Sequence, residues 1–254
     1  MEPPPALQRP PQGGIGPQEC CDAIRFFIDP GDTPVPAPPL YNDTAMSHSG
    51  LLDSLIRSAD NALRALFAPA HAGRELDLPP APDLSESERH HVAGLMRVNH
   101  AGEIAAQALY HGQAIVSRTP ATREFLLSAS AQESDHLAWC EDRLHELGAH
   151  PSVLNPLWYA GSFAIGALAA AIGDKVSLGF LSETERQVEG HLDSHLAALP
   201  AQDQRTRRII EQMKIDEVGH AVAADRAGAA RLPDPVRALM RATARIMTRT
   251  AYRF

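Results

Sequence analysis

The sequence predicts an all-α protein, a bundle of long helices with further amphipathic helices around it. Three observations lead there: apolar residues recur at helical spacing, capping and stop residues fall where that periodicity begins and ends, and no stretch sustains the alternation of a strand. Residues 1–45 carry eleven of the 21 prolines and little periodicity, so a disordered proline-rich tail is expected, with Met46 as an alternative start. Residues 46–84 hold an amphipathic helix and a linker. Leu51, Leu52, Leu55, Ile56, Ala59, Leu63, Leu66 and Phe67 share one face over 51–67, opposite Asp53, Arg57, Asp60 and Arg64, and a Pro, Gly and Ala-rich stretch follows from Pro69 to Pro82. Residues 85–254 form the main domain. Ser85 and Glu88 make a capping box for a helix to about Ser117, Pro120 opens a second that Gly148 stops, a third runs from about Asp174 to Leu199, and a fourth covers about Gln202 to Ala230. Pro233 and Pro235 open the last.

Composition narrows the function classes. The 254 residues are 44% apolar, enough for a real core, and 23 Lys plus Arg against 31 Asp plus Glu give a net charge of −8, which argues against nucleic-acid binding through a dominant basic surface. Cys20, Cys21 and Cys140 offer no disulfide framework, and no secretory signal pattern opens the chain, so a reducing cytoplasm is the expected compartment. No glycine fingerprint of a nicotinamide-binding fold is present.

The chemistry lies in a repeated pattern: Glu103, then Glu133 with His136, and again Glu185, then Glu217 with His220. The intervals from Glu103 to Glu133 and from Glu185 to Glu217 are 30 and 32 residues. A helix that climbs about 20 Å and a partner that descends as far bring both carboxylates back to one level. Residues three apart share a helix face, so each Glu-x-x-His presents both groups to one point. Four carboxylates and two imidazoles at one level repel and resist burial unless cations sit among them, and oxygen and nitrogen donors without thiolate favour two iron or manganese ions. This is the ligand set of ferritin-like bundles. Glu133 and Glu217 are the expected bridges. Asp216 is positioned to accept the outer proton of a ligand histidine, with Asp135 a second such candidate. A single Glu-x-x-His means little, since Glu88 and His91 form one too; the double occurrence at hairpin distance is what a solvated helix face does not explain.

The wording of these segments, MRVNHAGEIAAQALYHGQA, QESDHLAWC, ETERQVEGHLDSHL and QMKIDEVGHAVAA, resembles the demethoxyubiquinone hydroxylase family over about residues 85–254. The resemblance implies a ferritin-like four-helix bundle whose two iron ions, on Glu103, Glu133, His136, Glu185, Glu217 and His220, activate O2 to hydroxylate the ring of a demethoxy-ubiquinol. It also implies a role for His191 in electron or proton delivery, NADH as a candidate electron donor, and partners in ubiquinone synthesis. Leu192 stands where other members carry Tyr, which puts a relay through that position in doubt. His100, in the same motif, fits packing or capping as well as function.

A polyprenyl benzoquinol lives in the bilayer, so an apolar entrance is expected. Residues 151–173 contain no Asp, Glu, Lys or Arg, yet Asn155, Pro156 and several glycines make them a poor spanning helix. An interfacial or re-entrant segment with Trp158 and Tyr159 at headgroup level is expected; a hairpin packed on the bundle is the alternative. Arg237, Arg241, Arg245, Arg249 and Arg253 recur every four residues beside apolar Val236, Leu239, Met240, Ile246 and Met247, which suits anionic lipid or a solvated basic face. The expected location is the cytoplasmic face of the cell membrane, held peripherally, with self-association through the apolar surfaces. Two rival readings remain: another ferritin-like chemistry, such as peroxide reduction or iron oxidation, and a non-catalytic quinone-lipid-binding bundle.

Overall fold

The computed structural model describes residues 48–254; the proline-rich tail, Cys20 and Cys21, and Met46 lie outside the described residues. Seven helices and no strand occur among those described: α1 His48–Phe67, α2 Glu86–Val116, α3 Pro120–Glu146, α4 Asn155–Ile172, α5 Asp174–Ala198, α6 Gln204–Arg226 and α7 Asp234–Ala251. The caps explain the boundaries. Ser85 and Glu88 complete the capping box, the side chain of Thr119 accepts the Thr122 N–H ahead of Pro120, and Asp203 accepts the Thr206 N–H. Gly148 (φ 69°) and Gly228 (φ 97°) turn the chain out of α3 and α6 in the left-handed region, so α6 ends four residues earlier than the periodicity suggests.

Helices α2 and α3 form one hairpin and α5 and α6 a second, joined by α2 against α5 and α3 against α6. Two apolar layers fill this bundle. Met96, Cys140, Leu144, Leu192, Ile210 and Met213 belong to one; Leu109, Tyr110, Leu126, Leu181 and Ala224 belong to the other. In every helix the site residues fall in sequence between the two layers: Glu103 between Met96 and Leu109, Glu133 between Leu126 and Cys140, Glu185 between Leu181 and Leu192, Glu217 between Met213 and Ala224. The polar level is therefore sealed above and below by side chains whose burial stabilises the fold by about 1.5–3 kcal/mol for each large one. Buried Arg143 ties α3 to the start of α6, with Nη2 3.2 Å from Asp203 Oδ1 and Nε donating to Thr206 Oγ1 at 2.8 Å.

The charge-free segment corrects an expectation. It forms one continuous helix, α4, laid along α2, rather than a re-entrant turn, because Pro156 sits in the first turn where a missing N–H costs nothing. Tyr159 is buried, its hydroxyl 3.2 Å from His111 Nδ1, and Trp158 packs with Val98 and Ala251; neither ring stands free at the surface. Gly112 and Gly166 let the two backbones touch, since a Cβ on either would lie 2.1 Å from the carbonyl oxygen of Phe163 or Leu109. Gly161 meets nothing within 4 Å, and Gly173 (φ 152°) makes the turn into α5, so neither takes part in the close contact. Leu157, Leu168 and Ile172 on the far side of α4 remain exposed.

The glycine pair sets a stability prediction. Gly166→Ala should destabilise the fold by about 1–3 kcal/mol as α4 is pushed off α2, whereas Gly161→Ala in the same helix should stabilise it by about 0.5–1 kcal/mol. Chemical denaturation of the two variants checks both signs.

Candidate metal centre

All six predicted site residues meet in the buried level. Glu103 from α2, Glu133 and His136 from α3, and Glu217 from α6 bring one donor atom each to within 4.8 Å of one another; Glu133, Glu185 from α5, Glu217 and His220 form a second such group. The carboxylates of Glu133 and Glu217 belong to both. His136 Nδ1 lies 3.2 Å from Glu133 Oε2, 3.3 Å from Glu217 Oε1 and 3.6 Å from Glu103 Oε2. His220 Nδ1 lies 3.2 Å from Glu133 Oε1, 3.2 Å from Glu217 Oε2 and 3.8 Å from Glu185 Oε1. Glu133 and Glu217 each offer one oxygen to each side. The arrangement is a near two-fold repeat, as the doubled motif requires.

Its electrostatics follow from crowding four acids and two imidazoles into one buried level. Burial pushes the carboxyls of Glu103 and Glu185 well above the usual range. Burial acts the same way on Glu133 and Glu217, with mutual repulsion added for Glu217, but hydrogen bonds to His136 and His220 outweigh it and hold both below the usual range. Burial opposes charge on the two imidazoles as well, and their carboxylate partners override it, raising both well above an ordinary histidine. Four carboxylates balance the charge of two divalent ions, and their oxygens converge with one imidazole nitrogen in each of the two groups. The donor set fits two metals.

The outer nitrogens of His136 and His220 point away from the centre. His136 Nε2 donates to Asp216 Oδ2 at 3.0 Å, the contact expected of Asp216, while Asp135 instead accepts from Gly73 N–H and Arg74. Burial would raise the Asp216 carboxyl, but His136 and Arg74 hold it at about 2. His220 Nε2 donates to Gln132 Oε1 at 2.7 Å. Sequence reasoning missed Gln132, Arg74 and Tyr110, whose hydroxyl donates to Glu185. Tyr110 stands seven residues after Glu103, on the same helix face, and that spacing is a signal that could have found it. Nothing in the linker's composition marks Arg74.

The remaining histidines fall elsewhere. His191 joins neither group; its ring lies 4.0 Å from that of His195 beside α7, in a groove also lined by Arg249, Tyr252 and Arg253, and its Nε2 is buried with no partner among the described residues. His100 is buried, faces Asn155 at the start of α4, and is pushed down to about 4 by burial. The third Glu-x-x-His divides its labour: Glu88 caps α2, and His91 meets the Tyr252 hydroxyl at 2.7 Å.

This fold and level of donors have the form of the helical bundles that hold two metals on carboxylates and histidines. The family described as "Ubiquinone biosynthesis protein COQ7" matches residues 90–251, and the chain belongs to it. Similar proteins include one from Bordetella parapertussis, 58% identical over 80% of this chain and 93% of its own length, and one from Cupriavidus metallidurans, 56% identical over 80% of this chain and all of its own. A protein from Chromobacterium violaceum is 55% identical with the same coverage. Each of these relatives is named 3-demethoxyubiquinol 3-hydroxylase.

The sharing of two carboxylates has a measurable consequence. Glu217→Ala or Glu133→Ala should reduce tightly bound metal to well under one ion per chain, because both positions lose a donor, whereas Glu103→Ala or Glu185→Ala should leave about one. Metal analysis after exhaustive dialysis checks the distinction.

Proposed function

We propose that this chain is a di-iron monooxygenase that hydroxylates the ring of a demethoxy-ubiquinol with O2 in ubiquinone biosynthesis. The observation that carries the reading is the pair of buried donor groups sharing Glu133 and Glu217, in a chain 55–58% identical to relatives named for this reaction. Glu103 with His136 and Glu185 with His220 complete the two metal positions. The two irons, when bound, supply the electrons that activate dioxygen.

The chain's own residues do the rest. The apolar layers on either side of the donors exclude water from the level at which the ring would be oxidised. Tyr110 holds a proton at Glu185 and fixes that carboxylate's orientation. His191, in its groove beside α7, serves electron or proton delivery from the surface, with NADH a candidate donor, and Leu192 beside it carries no hydroxyl to extend such a path.

Access to a polyprenyl substrate is by peripheral attachment to the cytoplasmic face of the cell membrane. Among the described residues no helix is long and apolar enough to cross a membrane. Exposed Ile56, Leu63 and Phe67 on α1, Leu157, Leu168 and Ile172 on α4, and Leu239 and Ile246 on α7 supply the apolar contact. The arginine row of α7 divides: Arg237 and Arg241 turn to Glu183, at 3.9 and 3.8 Å, while exposed Arg245, Arg249 and Arg253 make no ion pair among the described residues. Those three are the cations offered to anionic lipid. The same apolar surfaces suit self-association or docking within a ubiquinone-synthesis complex.

Anaerobic reconstitution with ferrous iron should give about two ions per chain, and the loaded protein exposed to O2 and a short-tailed demethoxyquinol should release the ring-hydroxylated product by mass spectrometry. Peroxide consumption without quinol oxidation would favour the rival ferritin-like chemistry, and quinone binding without bound metal would favour a non-catalytic bundle. Separately, Arg245→Glu/Arg249→Glu/Arg253→Glu should cut sedimentation with anionic vesicles by about tenfold, three charges at about 1 kcal/mol each being more than sufficient; unchanged sedimentation removes α7 from the attachment.

A further inference from the structure

We infer that the two metal positions are unequal by construction: the position at His136 takes the first ion and holds it more tightly, because Asp216, fixed by Arg74, backs that histidine alone. The inference rests on the di-metal reading and concerns what lies outside the donors. Each ligand histidine turns its Nε2 to the residue that precedes the glutamate of the other repeat. His136 meets Asp216, the neighbour of Glu217, at 3.0 Å; His220 meets Gln132, the neighbour of Glu133, at 2.7 Å. The near two-fold repeat therefore breaks behind the histidines, carboxylate on one side and amide on the other. A carboxylate accepting the imidazole proton strengthens the donor at Nδ1 and adds negative charge behind the ion; a neutral amide orients the ring without either effect.

The segment between α1 and α2 keeps that difference in place. Arg74 Nη2 lies 2.7 Å from Asp216 Oδ2 and its Nε 2.7 Å from Asp135 Oδ2, so one guanidinium joins α3 to α6 beside the centre. The strap itself is pinned. Gly73 N–H donates to Asp135 at 2.6 Å, Ala70 N–H to Glu141 at 3.0 Å, and the Trp139 indole to the Arg74 carbonyl at 3.2 Å. The guanidinium stands 5.2 Å over the Trp139 ring, which itself lies 5.4 Å from His136. Two acids against one arginine leave the His136 side net negative. Gln132 has no charged partner among the described residues.

A second observation points the same way. The Tyr110 hydroxyl donates to Glu185 Oε1, the oxygen that faces His220, and so withdraws electron density from the donor that completes the second position. Glu103 receives no hydroxyl among the described residues. Arg74 is a positioning residue: it touches no donor atom of the centre and acts through Asp216.

The test reads which imidazole is ligated, not activity. The metal-free full chain, labelled with 15N at histidine, receives one equivalent of Zn2+, a diamagnetic probe that coordinates oxygen and imidazole nitrogen. The coordination shift is expected at His136 Nδ1 and not at His220. Asp216→Asn should spread the ion over both histidines, a change of about 10–100-fold in relative affinity, and Gln132→Glu, which leaves Asp216 intact, should draw it toward His220. Arg74→Ala should loosen the preference and Arg74→Lys restore part of it. Equal or reversed occupancy in the wild type overturns the inference, as does a preference that survives Asp216→Asn. No shift at either histidine overturns the di-metal reading beneath it.

Discussion

Four carboxylates buried at one level are the constraint to which the rest of this structure answers. Each would cost several kcal/mol to bury charged and alone, yet Glu103, Glu133, Glu185 and Glu217 are all within a few per cent of complete burial. The fold meets that cost by giving every carboxylate an imidazole neighbour and by converging oxygen lone pairs on two points where divalent ions would balance the charge. The bundle must therefore be rigid at that level. Apolar layers above and below, caps on three of its four helices and the buried Arg143–Asp203 pair supply the rigidity. Function and stability share the same residues, and the site is the least forgiving part of the core.

Around this repeat the chain is not symmetric. Helix α4 rides on α2 through backbone contact at Gly112 and Gly166, which leaves its other side apolar and open. Helix α7 packs on α2 and α5, with Arg97 donating to the carbonyls of His150 and Tyr252, and turns only part of its arginine row outward. The linker crosses the outside of α3 and α6 as a strap. Thus one side of a nearly two-fold bundle faces solvent through a charged bridge while other surfaces present apolar side chains. Under the proposed function, a site that admits a greasy substrate and controls two ions needs that separation.

The sequence by itself determined the helices, their order and the donors. Those follow from local rules: a capping residue, a 3.6-residue period, two residues three apart on one face, and two Glu at matching heights in a hairpin. It also placed Asp216 beside a ligand histidine, but not which one. What only the tertiary structure decided is whatever depends on two helices meeting at a particular angle and depth. Tyr159 looked like an interfacial ring because its segment carries no charged side chain; it is buried because small residues on α2 and α4 bring the backbones together at that point. Arg74 sits in a linker whose composition marks only irregularity, and it gains its role because α3 and α6 carry Asp135 and Asp216 to the same spot. Periodicity is a property of one helix and can be read along it; the pairing of charges across helices is a property of their packing, and no single segment records it.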